Sequence, residues 1–348
     1  MIAGTNLFLA SQTGGDTSAG SVLKAIEQRK VQAEALFKEG RMKEAEKEMR
    51  AIAAECEQQL GARNRVTLRV RSKVGEILAT QARLTEAEAL LREVLGVQEE
   101  LLGTDHPETL ITGSNLASCL IKMGEFFKAG KISQKAFKTA ETLMKDASEQ
   151  RFSAGIHFVT ALIGVGQYKD AEKIVRDLLR DYERPGYEEK DRALRCHHNL
   201  ATLLGLQSKY EEAEKEFRAA LAGYANKQGP EDHNALSCRS GLASCLLGKG
   251  WKLEAEMEFR NILKTWEKRD PPDILRTLNA SVELADCLKI EGKITEARTL
   301  LQRALDGVKK NLGEDNSLTK LYQQDLDKLK DAIEGKPVQE NPPFNLSL

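Results

Sequence analysis

The sequence has no long hydrophobic run, few aromatic residues and almost no net charge. Its longest apolar segment, around Phe158–Val165, falls short of the roughly 18 residues that cross a bilayer. The N-terminus has no basic region of the kind that precedes a secretory signal. Lys and Arg total 52 against 53 Asp and Glu, so the chain lacks the positive field with which proteins hold a nucleic-acid backbone. Membrane insertion and nucleic-acid binding are therefore disfavoured.

Cysteine is scarce, and the motifs of common enzyme and metal sites are missing. The six cysteines include no CxxC pair, which is typical of a reducing compartment and predicts a cytoplasmic protein. Cys196, His197 and His198 are adjacent, but neighbouring helix residues point about 100° apart and cannot converge on one metal ion. No HExxH, GxSxG, Walker or GxGxxG string occurs. We therefore expect no enzymatic activity, no metal and no cofactor.

What the sequence does contain is an internal repeat. A short string around Glu-Ala-Glu returns every 42 residues without insertion or deletion, and such a fixed period marks a repeat architecture. Its alanines are Ala45, Ala87, Ala129, Ala171, Ala213, Ala255 and Ala297. Nine residues earlier stand Leu36, Leu78, Leu120, Leu162, Leu204, Leu246 and Leu288. Five residues earlier stand Gly40, Ala82, Gly124, Gly166, Ser208, Gly250 and Gly292.

Each repeat predicts a pair of antiparallel helices. Small and apolar residues recur at helical spacing, the mostly glycine position ends the first helix, and the string around the alanine begins a second helix of about four turns. Because one hairpin cannot bury its apolar face alone, successive hairpins must stack. The predicted fold is an all-α, right-handed solenoid of seven hairpins over residues 21–315, with a capping helix at 316–334. Residues 1–20 and 335–348 are expected to be disordered tails.

The small residues, the turn glycine and the alanine together resemble the tetratricopeptide repeat. The 42-residue period, the connector Leu102-Gly-Thr-Asp-His-Pro-Glu-Thr-Leu110 and Asn115 in the first helix resemble the kinesin-light-chain type. In the connector, Asp105 is expected to cap the next helix and Pro107 to occupy its first turn. The first twenty residues contain no heptads, so the coiled coil of a true kinesin light chain is not expected. Weaker copies of the connector are Leu60-Gly61…Thr67-Leu68, Gly229–His233 and Leu312–Asp315.

The resemblance implies a peptide-binding groove on one face of the first helices. On a helix wheel the positions of Asn115 and Ser118 lie opposite the core position of Leu120, and in arrays that this sequence resembles that side lines a concave groove. A basic N-terminal end, a polar middle and, at Glu283 and Asp286, an acidic far end are predicted. The candidate groove residues are Arg69, Lys73, Asn115, Ser118, His157, Arg195, Asn199 and Thr202.

These features predict a non-catalytic scaffold or adaptor that binds peptide segments. Arginine favours acidic ligands, and asparagine offers donors and an acceptor to a peptide backbone. One alternative is a structural or regulatory subunit of a larger complex whose chemistry lies on a partner. A clamp for a C-terminal carboxylate is weaker, since Val31 and Glu34 stand where amide or cationic groups would be needed. RNA binding is weaker too, since no basic or aromatic stripe is present.

Two further features lie at the second helices. Trp251 stands where other repeats have polar residues, and two interpretations stay open: an exposed anchor on the convex side, or partial burial against a neighbour. A lysine series in the third repeat is expected to face solvent, with contact to an acidic partner or anionic lipid as the alternative. The series is Lys128, Lys131, Lys135 and Lys138.

Overall fold

The chain folds entirely into helices wherever its structure is described. A computed structural model describes residues 17–143, 149–184, 190–269, 273–314 and 317–333. These ranges contain fifteen α-helices and no strand, which confirms the predicted all-α helical-repeat fold. Within the same ranges no helix is long and apolar enough to cross a membrane. The predicted tails lie mostly outside these ranges, although the first helix begins at Thr17, inside the predicted N-terminal tail.

The chain divides into two compact units, Met1–Cys119 and Leu120–Leu348. In chain order, helices α1 to α14 correspond to the seven predicted pairs. The first unit contains α1 (Thr17–Lys38), α2 (Met42–Leu60), α3 (Arg65–Thr80), α4 (Leu84–Leu102) and most of α5 (Pro107–Lys122). The second contains α6 (Phe126–Leu143), α7 (Glu149–Gly164), α8 (Tyr168–Tyr182), α9 (Lys190–Leu206), α10 (Tyr210–Gln228), α11 (His233–Gly248), α12 (Lys252–Glu267), α13 (Ile274–Ile290), α14 (Ile294–Leu312) and α15 (Ser317–Ile333). From α1 to α4 and from α6 to α15, each helix packs against its neighbours in sequence, and α9 also contacts α11.

The turn between the two helices of a repeat has one conformation in all seven repeats. Its central residue, five before the repeat alanine, has a positive φ between 60° at Ser208 and 87° at Gly250. The NH of the following residue donates to the carbonyl of the repeat leucine, as Arg41 does to Leu36 at 3.0 Å. This geometry is the Schellman motif. The leucine carbonyl is therefore the acceptor that closes the helix in every repeat. The leucine side chain is half-buried at Leu36 and Leu246 and buried in the other five repeats.

The positions predicted to form the core are buried. All seven repeat alanines have 0% of their surface exposed. The helices of a hairpin approach so closely that a Cβ added to Gly75 would lie 2.6 Å from Leu91 Cγ. A larger side chain at Gly75 would clash with Leu91 unless the packing shifted, and such close packing favours the small residues that recur at this position.

Three of the connectors that follow a hairpin each contain the same kind of hydrogen bond. Thr67, Thr109 and Thr319 each donate the side-chain hydroxyl to the carbonyl of a glycine six residues earlier, at 2.7–2.9 Å. Each of these glycines has a φ near 90°, a backbone conformation that favours glycine. The Leu-Gly…Thr pattern of the sequence is thus a connector with a fixed backbone path.

The start of α5 differs from its prediction by one residue. Asp105 does not cap the helix, because its carboxylate accepts the Thr104 hydroxyl at 3.0 Å. Instead His106 Nδ1 accepts the Glu108 NH at 3.2 Å. The capping position is the residue before Pro107, and Pro107 is the first residue of α5 as predicted.

Ion pairs connect the even-numbered helices of successive repeats. Glu256, the residue after a repeat alanine, lies 2.8 Å from Arg260 on its own helix and 2.6 Å from Lys293 at the start of α14. The third repeat has Gly130 and Gln134 in place of the glutamate and arginine, so it cannot form this pair. The same arrangement joins Glu46 to Arg50 and Arg83, and Glu172 to Arg176 and Lys209. Glu214 pairs with Arg218 and with Lys249, the residue that caps the end of α11, because Trp251 takes the place of the usual cation.

Candidate functional site

Most of the predicted site residues occupy one repeat position or lie one helical turn from it. The position lies on the odd-numbered helices, and within each unit we call the surface formed by it and its neighbours the odd-helix face. Four of the predicted residues lie in the first unit and four in the second. The residues at this position, spaced 42 apart, are Val31, Lys73, Asn115, His157, Asn199, Gly241, Glu283 and Asp325.

In the first unit, the predicted cations are paired with carboxylates of the same unit. Arg69 Nη2 lies 3.2 Å from Glu27 Oε2. Lys73 Nζ lies 3.0 Å from both Glu76 oxygens and 4.7 Å from the centre of the Phe37 ring. Three neighbouring arginines are also paired, with acceptors within 3.1 Å, namely Arg63, Arg65 and Arg71. The positive charge expected at this end is therefore largely offset within the chain.

The other two predicted residues of the first unit keep their polar groups available. Asn115 and Ser118 are half-buried on α5. Neither side chain hydrogen-bonds to another residue in the described ranges. An extended ligand backbone needs such groups, and Asn115 can serve as both donor and acceptor.

In the second unit, α7 and α9 bring three predicted residues together, and we call His157, Arg195 and Asn199 the polar cluster. The Arg195 guanidinium is exposed and lies over the ring of Phe152, with 4.8 Å between Cζ and the ring centre. Within the described ranges Arg195 makes no ion pair. The buried Nδ1 of His157 has no hydrogen-bond partner there, and the half-buried Asn199 amide also lacks one.

The charge of the polar cluster comes from Arg195. Burial, together with the positive charges of Arg195 and Lys122, lowers the pKa of His157 to about 4, so this imidazole is neutral at neutral pH. His198 is neutral for the same reason, because burial and Arg195 lower its pKa to about 4. The cluster therefore presents one guanidinium beside neutral hydrogen-bonding groups, which suits a carboxylate on an otherwise polar ligand.

Thr202, the remaining predicted residue, is satisfied within its own helix. Its hydroxyl donates to the carbonyl of His198 at 3.0 Å. It lies on the same side of α9 as Asn199, but its donor is already in use. Thr202 is therefore part of the surface of this face but does not offer a free hydrogen-bond donor to a ligand.

An acidic cluster lies further along the odd-helix face, and we define it as Glu283, Asp286 and Asp325. Asp286 lies 2.5 Å from Lys289, and Asp325 lies 3.6 Å from Lys328. Glu283 accepts a hydrogen bond from the Ser240 hydroxyl and has no cationic partner among the residues described. Burial and, less strongly, Asp286 raise the pKa of Glu283 to about 7.

The capping helix contributes to this cluster, which the sequence analysis missed. Asp325 is 3% exposed on α15, and burial followed by Asp286 raises its pKa. Beside it the hydroxyl of Tyr322 hydrogen-bonds to Asn279 Oδ1. A sequence signal did exist, because Asp325 follows Glu283 by 42 residues and so continues the repeat position into the cap.

The adjacent residues Cys196, His197 and His198 point to different neighbours. Cys196 is buried in the core. His197 contacts Glu216 at 2.6 Å and Glu183 at 3.1 Å, and the Glu216 hydrogen bond raises the pKa of His197. His198 Nδ1 lies 3.4 Å from Cys238 Sγ. In the described ranges, no group of three or more His, Cys, Asp or Glu residues is arranged to hold a metal ion.

The even-numbered helices carry the surface features expected of them and one that was not. Lys128, Lys131, Lys135 and Lys138 are all exposed. Of the two interpretations of Trp251, exposure is the one observed, because 56% of its surface is exposed. Leu253 and Met257 follow it on α12, and each is 66% exposed, an apolar patch that the sequence analysis did not identify.

The stacked helical pairs define an α-helical repeat protein. Models of the tetratricopeptide repeat match residues 66–142 and 194–234, so the predicted resemblance to this repeat is confirmed in these two segments. No curated protein matches the sequence significantly.

Solved structures share the fold at low sequence identity. RapI in its apo form aligns with a TM-score of 0.64 at 14% identity, covering 82% of this chain and 99% of RapI. NprR in complex with its cognate peptide NprX aligns with a TM-score of 0.64 at 14% identity, covering 93% of this chain and 87% of NprR. A variant of a Podosopora anserina protein described as a kinesin light chain with nearly identical TPR-like repeats aligns with a TM-score of 0.50 at 19% identity, covering 58% of this chain and 95% of that protein. These similarities support the fold.

Proposed function

We propose that this protein is a non-catalytic scaffold that binds peptide segments of partner proteins on the odd-helix face, with an acidic group of the peptide at Arg195. The observation that carries the proposal is the polar cluster. It holds a guanidinium without an ion pair in the described ranges, a buried imidazole nitrogen without a partner and a free amide, on two adjacent odd-numbered helices. A buried group such as His157 Nδ1 is normally satisfied within a protein, and a ligand held by the exposed Arg195 could satisfy it.

The chemistry of the cluster favours a peptide carboxylate over other anions. The flat guanidinium presents paired NH groups that match the two oxygens of Asp or Glu. The Phe152 ring beneath it, 4.8 Å away, holds it in place by a cation–π contact. Asn199, one turn further along α9, can donate to and accept from the backbone of the same ligand.

The fold comparison is consistent with this proposal. NprR, which resembles this chain in fold, has been solved with its cognate peptide NprX. A protein with this fold has therefore been observed in complex with a peptide. For the present chain, a mostly polar surface suggests micromolar affinity, about −8 kcal/mol.

The test is a screen of degenerate peptide libraries, with and without fixed Asp or Glu, against the full chain and two variants. Arg195→Glu should reduce capture of acidic peptides by at least about tenfold, because it replaces the attractive charge with a repulsive one. Lys173→Glu is the matched control. It makes the same charge change on α8, at an exposed lysine with no ion pair in the described ranges, and should leave capture unchanged. Equal capture by the wild type and Arg195→Glu would refute the assignment.

The first unit offers a second place for the same kind of ligand. There we propose Asn115 and Ser118 as hydrogen-bonding residues, with Arg69 and Lys73 as the adjacent cations. Because Arg69 and Lys73 already pair with Glu27 and Glu76, the double change Arg69→Glu and Lys73→Glu should weaken acidic-peptide capture less than Arg195→Glu does. A larger effect of the double change would place the main contact in the first unit.

A second candidate function is that of a subunit in a permanent complex. An exposed apolar patch at the start of α12 favours this function, because apolar patches on soluble proteins often mark interfaces. The patch consists of Trp251, Leu253 and Met257. Affinity capture from cells separates the two functions. A partner held through α12 should remain bound to Arg195→Glu and be lost from Leu253→Glu with Met257→Glu, whereas a peptide ligand should show the reverse pattern.

A further inference from the structure

We infer that this chain also binds the surface of anionic lipid bilayers through the outward side of α6. We call Phe127, Lys128, Lys131, Lys135 and Lys138 the α6 face. Three observations carry the inference: the positive charge of α6, the placement of its lysines on one exposed side, and the exposed phenyl ring among them. The binding is peripheral and goes beyond the proposed peptide binding, on which it does not depend.

The charge of α6 differs from that of the chain as a whole. Helix α6 contains four lysines and a single glutamate, so its net charge is +3, whereas the whole chain has a net charge of −1. Helix α4, at the same place in the preceding repeat, contains five glutamates and one arginine. No Asp or Glu occurs between residues 126 and 140. The lysines of α6 therefore have no carboxylate of their own helix among them.

All five residues of the α6 face lie on one side of the helix. At about 100° per residue they fall within an arc of about 100°, and each is exposed. The face runs about 17 Å along the axis, because a helix rises about 1.5 Å per residue. The opposite side of α6 is buried in the core, where Ala129 and Ala140 lie. The lysines can therefore contact one flat surface at the same time.

Contacts within the chain leave much of this charge at the surface. Lys138 makes no ion pair in the described ranges. Lys131 makes none there either, and its ammonium nitrogen lies 4.6 Å from the centre of the Phe127 ring. Lys128 lies 3.1 Å from Glu125, but both side chains are about half exposed, and an exposed ion pair contributes little. These ammonium groups are therefore available to external anions.

Phe127 favours a bilayer over an acidic protein as the partner. Its side chain is 68% exposed, on the face that carries the lysines. Helices that bind bilayers combine these groups, because an aromatic ring enters the headgroup region while lysines contact anionic lipids. Acidic protein segments are better matched by the paired NH groups of arginine, and α6 contains no arginine. Lysine instead has a compact charge on a long flexible stem, which suits mobile headgroups.

The experiment measures co-sedimentation of the full chain with two kinds of vesicle, one of phosphatidylcholine alone and one in which about a third of the lipid is phosphatidylserine. At low salt we expect binding to the phosphatidylserine vesicles only, and its loss in about 0.5 M salt, because ions screen the attraction. Lys131→Gln with Lys138→Gln should weaken binding at least about tenfold, since each lysine near an anionic bilayer contributes about fivefold. Both lysines are exposed, so the variant should fold, which circular dichroism checks.

Lys264→Gln with Lys268→Gln is the matched control. It removes two positive charges at the end of α12, from exposed lysines that have no ion pair in the described ranges. This variant should bind the phosphatidylserine vesicles as the wild type does.

A second measurement reports whether the side chain at position 127 enters the bilayer. Phe127→Trp is made together with Trp251→Phe, because the exposed Trp251 would otherwise add its own signal. The remaining tryptophan, Trp266, is only 5% exposed. With phosphatidylserine vesicles the tryptophan emission should shift to shorter wavelengths, and brominated lipids should quench it.

The inference is overturned if the wild type sediments no better with phosphatidylserine than with phosphatidylcholine at low salt. It is also overturned if the α12 control loses as much binding, or if the emission of the Phe127→Trp variant does not change. Tighter binding of poly-L-glutamate than of vesicles would assign the α6 face to an acidic protein, and competition by soluble glycerophosphoserine would assign it to a free phosphate ester; either result overturns the bilayer. Peptide capture through Arg195 is measured without vesicles, so its outcome is independent of these.

Discussion

Glycine and alanine should have opposite effects on stability at two kinds of position. In the left-handed turn of a repeat glycine should be the more stabilising residue, whereas inside a helix alanine should be. Ala82 occupies the turn position with a φ of 61°, where Gly166 has 78°. A non-glycine residue in the left-handed region costs about 1–2 kcal/mol, whereas glycine costs about 0.5–1 kcal/mol through its greater freedom in the unfolded chain. Ala82→Gly should therefore stabilise the protein by about 0.5–1 kcal/mol, and Gly166→Ala should destabilise it by a similar amount.

Side-chain packing cannot account for the effect expected at Gly166. A Cβ added to Gly166 would meet nothing within 4 Å. The backbone conformation alone therefore decides whether Gly166→Ala stabilises or destabilises the protein. Gly96 is the control, because it also has open space around an added Cβ but lies inside α4. There Gly→Ala should stabilise the protein by up to about 1 kcal/mol through helix propensity.

Urea unfolding followed by far-ultraviolet circular dichroism measures these changes. Hydrogen exchange of the amides around each turn should accompany it, because repeat arrays can unfold in parts. If Gly166→Ala stabilises the protein as Gly96→Ala does, the left-handed conformation assigned to this turn is wrong. If Ala82→Gly destabilises it, the Schellman account of the seven turns fails.

Three further predictions concern the core, the ion pairs and the thiols. Ala87→Asp should cost several kcal/mol in urea unfolding, because the alanine is 0% exposed and the change both overfills the contact and buries a charge; retention of wild-type stability would contradict the packing. The ion pair with Lys293, ahead of other causes, holds the pKa of Glu256 below its ordinary value of 4.5. In acid the unfolded chain therefore binds more protons than the folded chain does. Glu256→Gln should lower the free energy of unfolding by about 1 kcal/mol at neutral pH, and this difference from the wild type should shrink as the pH drops below about 4.5. A difference that does not depend on pH would contradict this account. Burial raises the pKa of Cys196 and of Cys238 to about 12, so a thiol-reactive chromogenic reagent at about pH 8 should label them only on unfolding, and rapid labelling of the native protein would show that they are accessible.

The fold could be predicted from the sequence because its determinants are local and repeated. The leucine that accepts the turn hydrogen bond, the residue in the left-handed turn and the alanine of the contact lie within ten residues of one another. Their pattern recurs in every repeat, so each repeat independently supports the same structure. The cap of α5 was predicted one residue too early, at Asp105 in place of His106, because a single-residue shift does not alter the pattern around Pro107.

Helical periodicity and the 42-residue repeat assign every position to a face, so the residues of the odd-helix face can be read from the sequence. Which charges on that face remain available to a ligand depends on the folded structure. Arg69 is paired with Glu27, a full repeat earlier, whereas Arg195 lies over Phe152 with no carboxylate partner in the described ranges. The two arginines occupy equivalent positions in the repeat, so the sequence pattern treats them alike. The difference arises because the availability of a charge depends on side chains from neighbouring helices, and these become neighbours only when the hairpins stack.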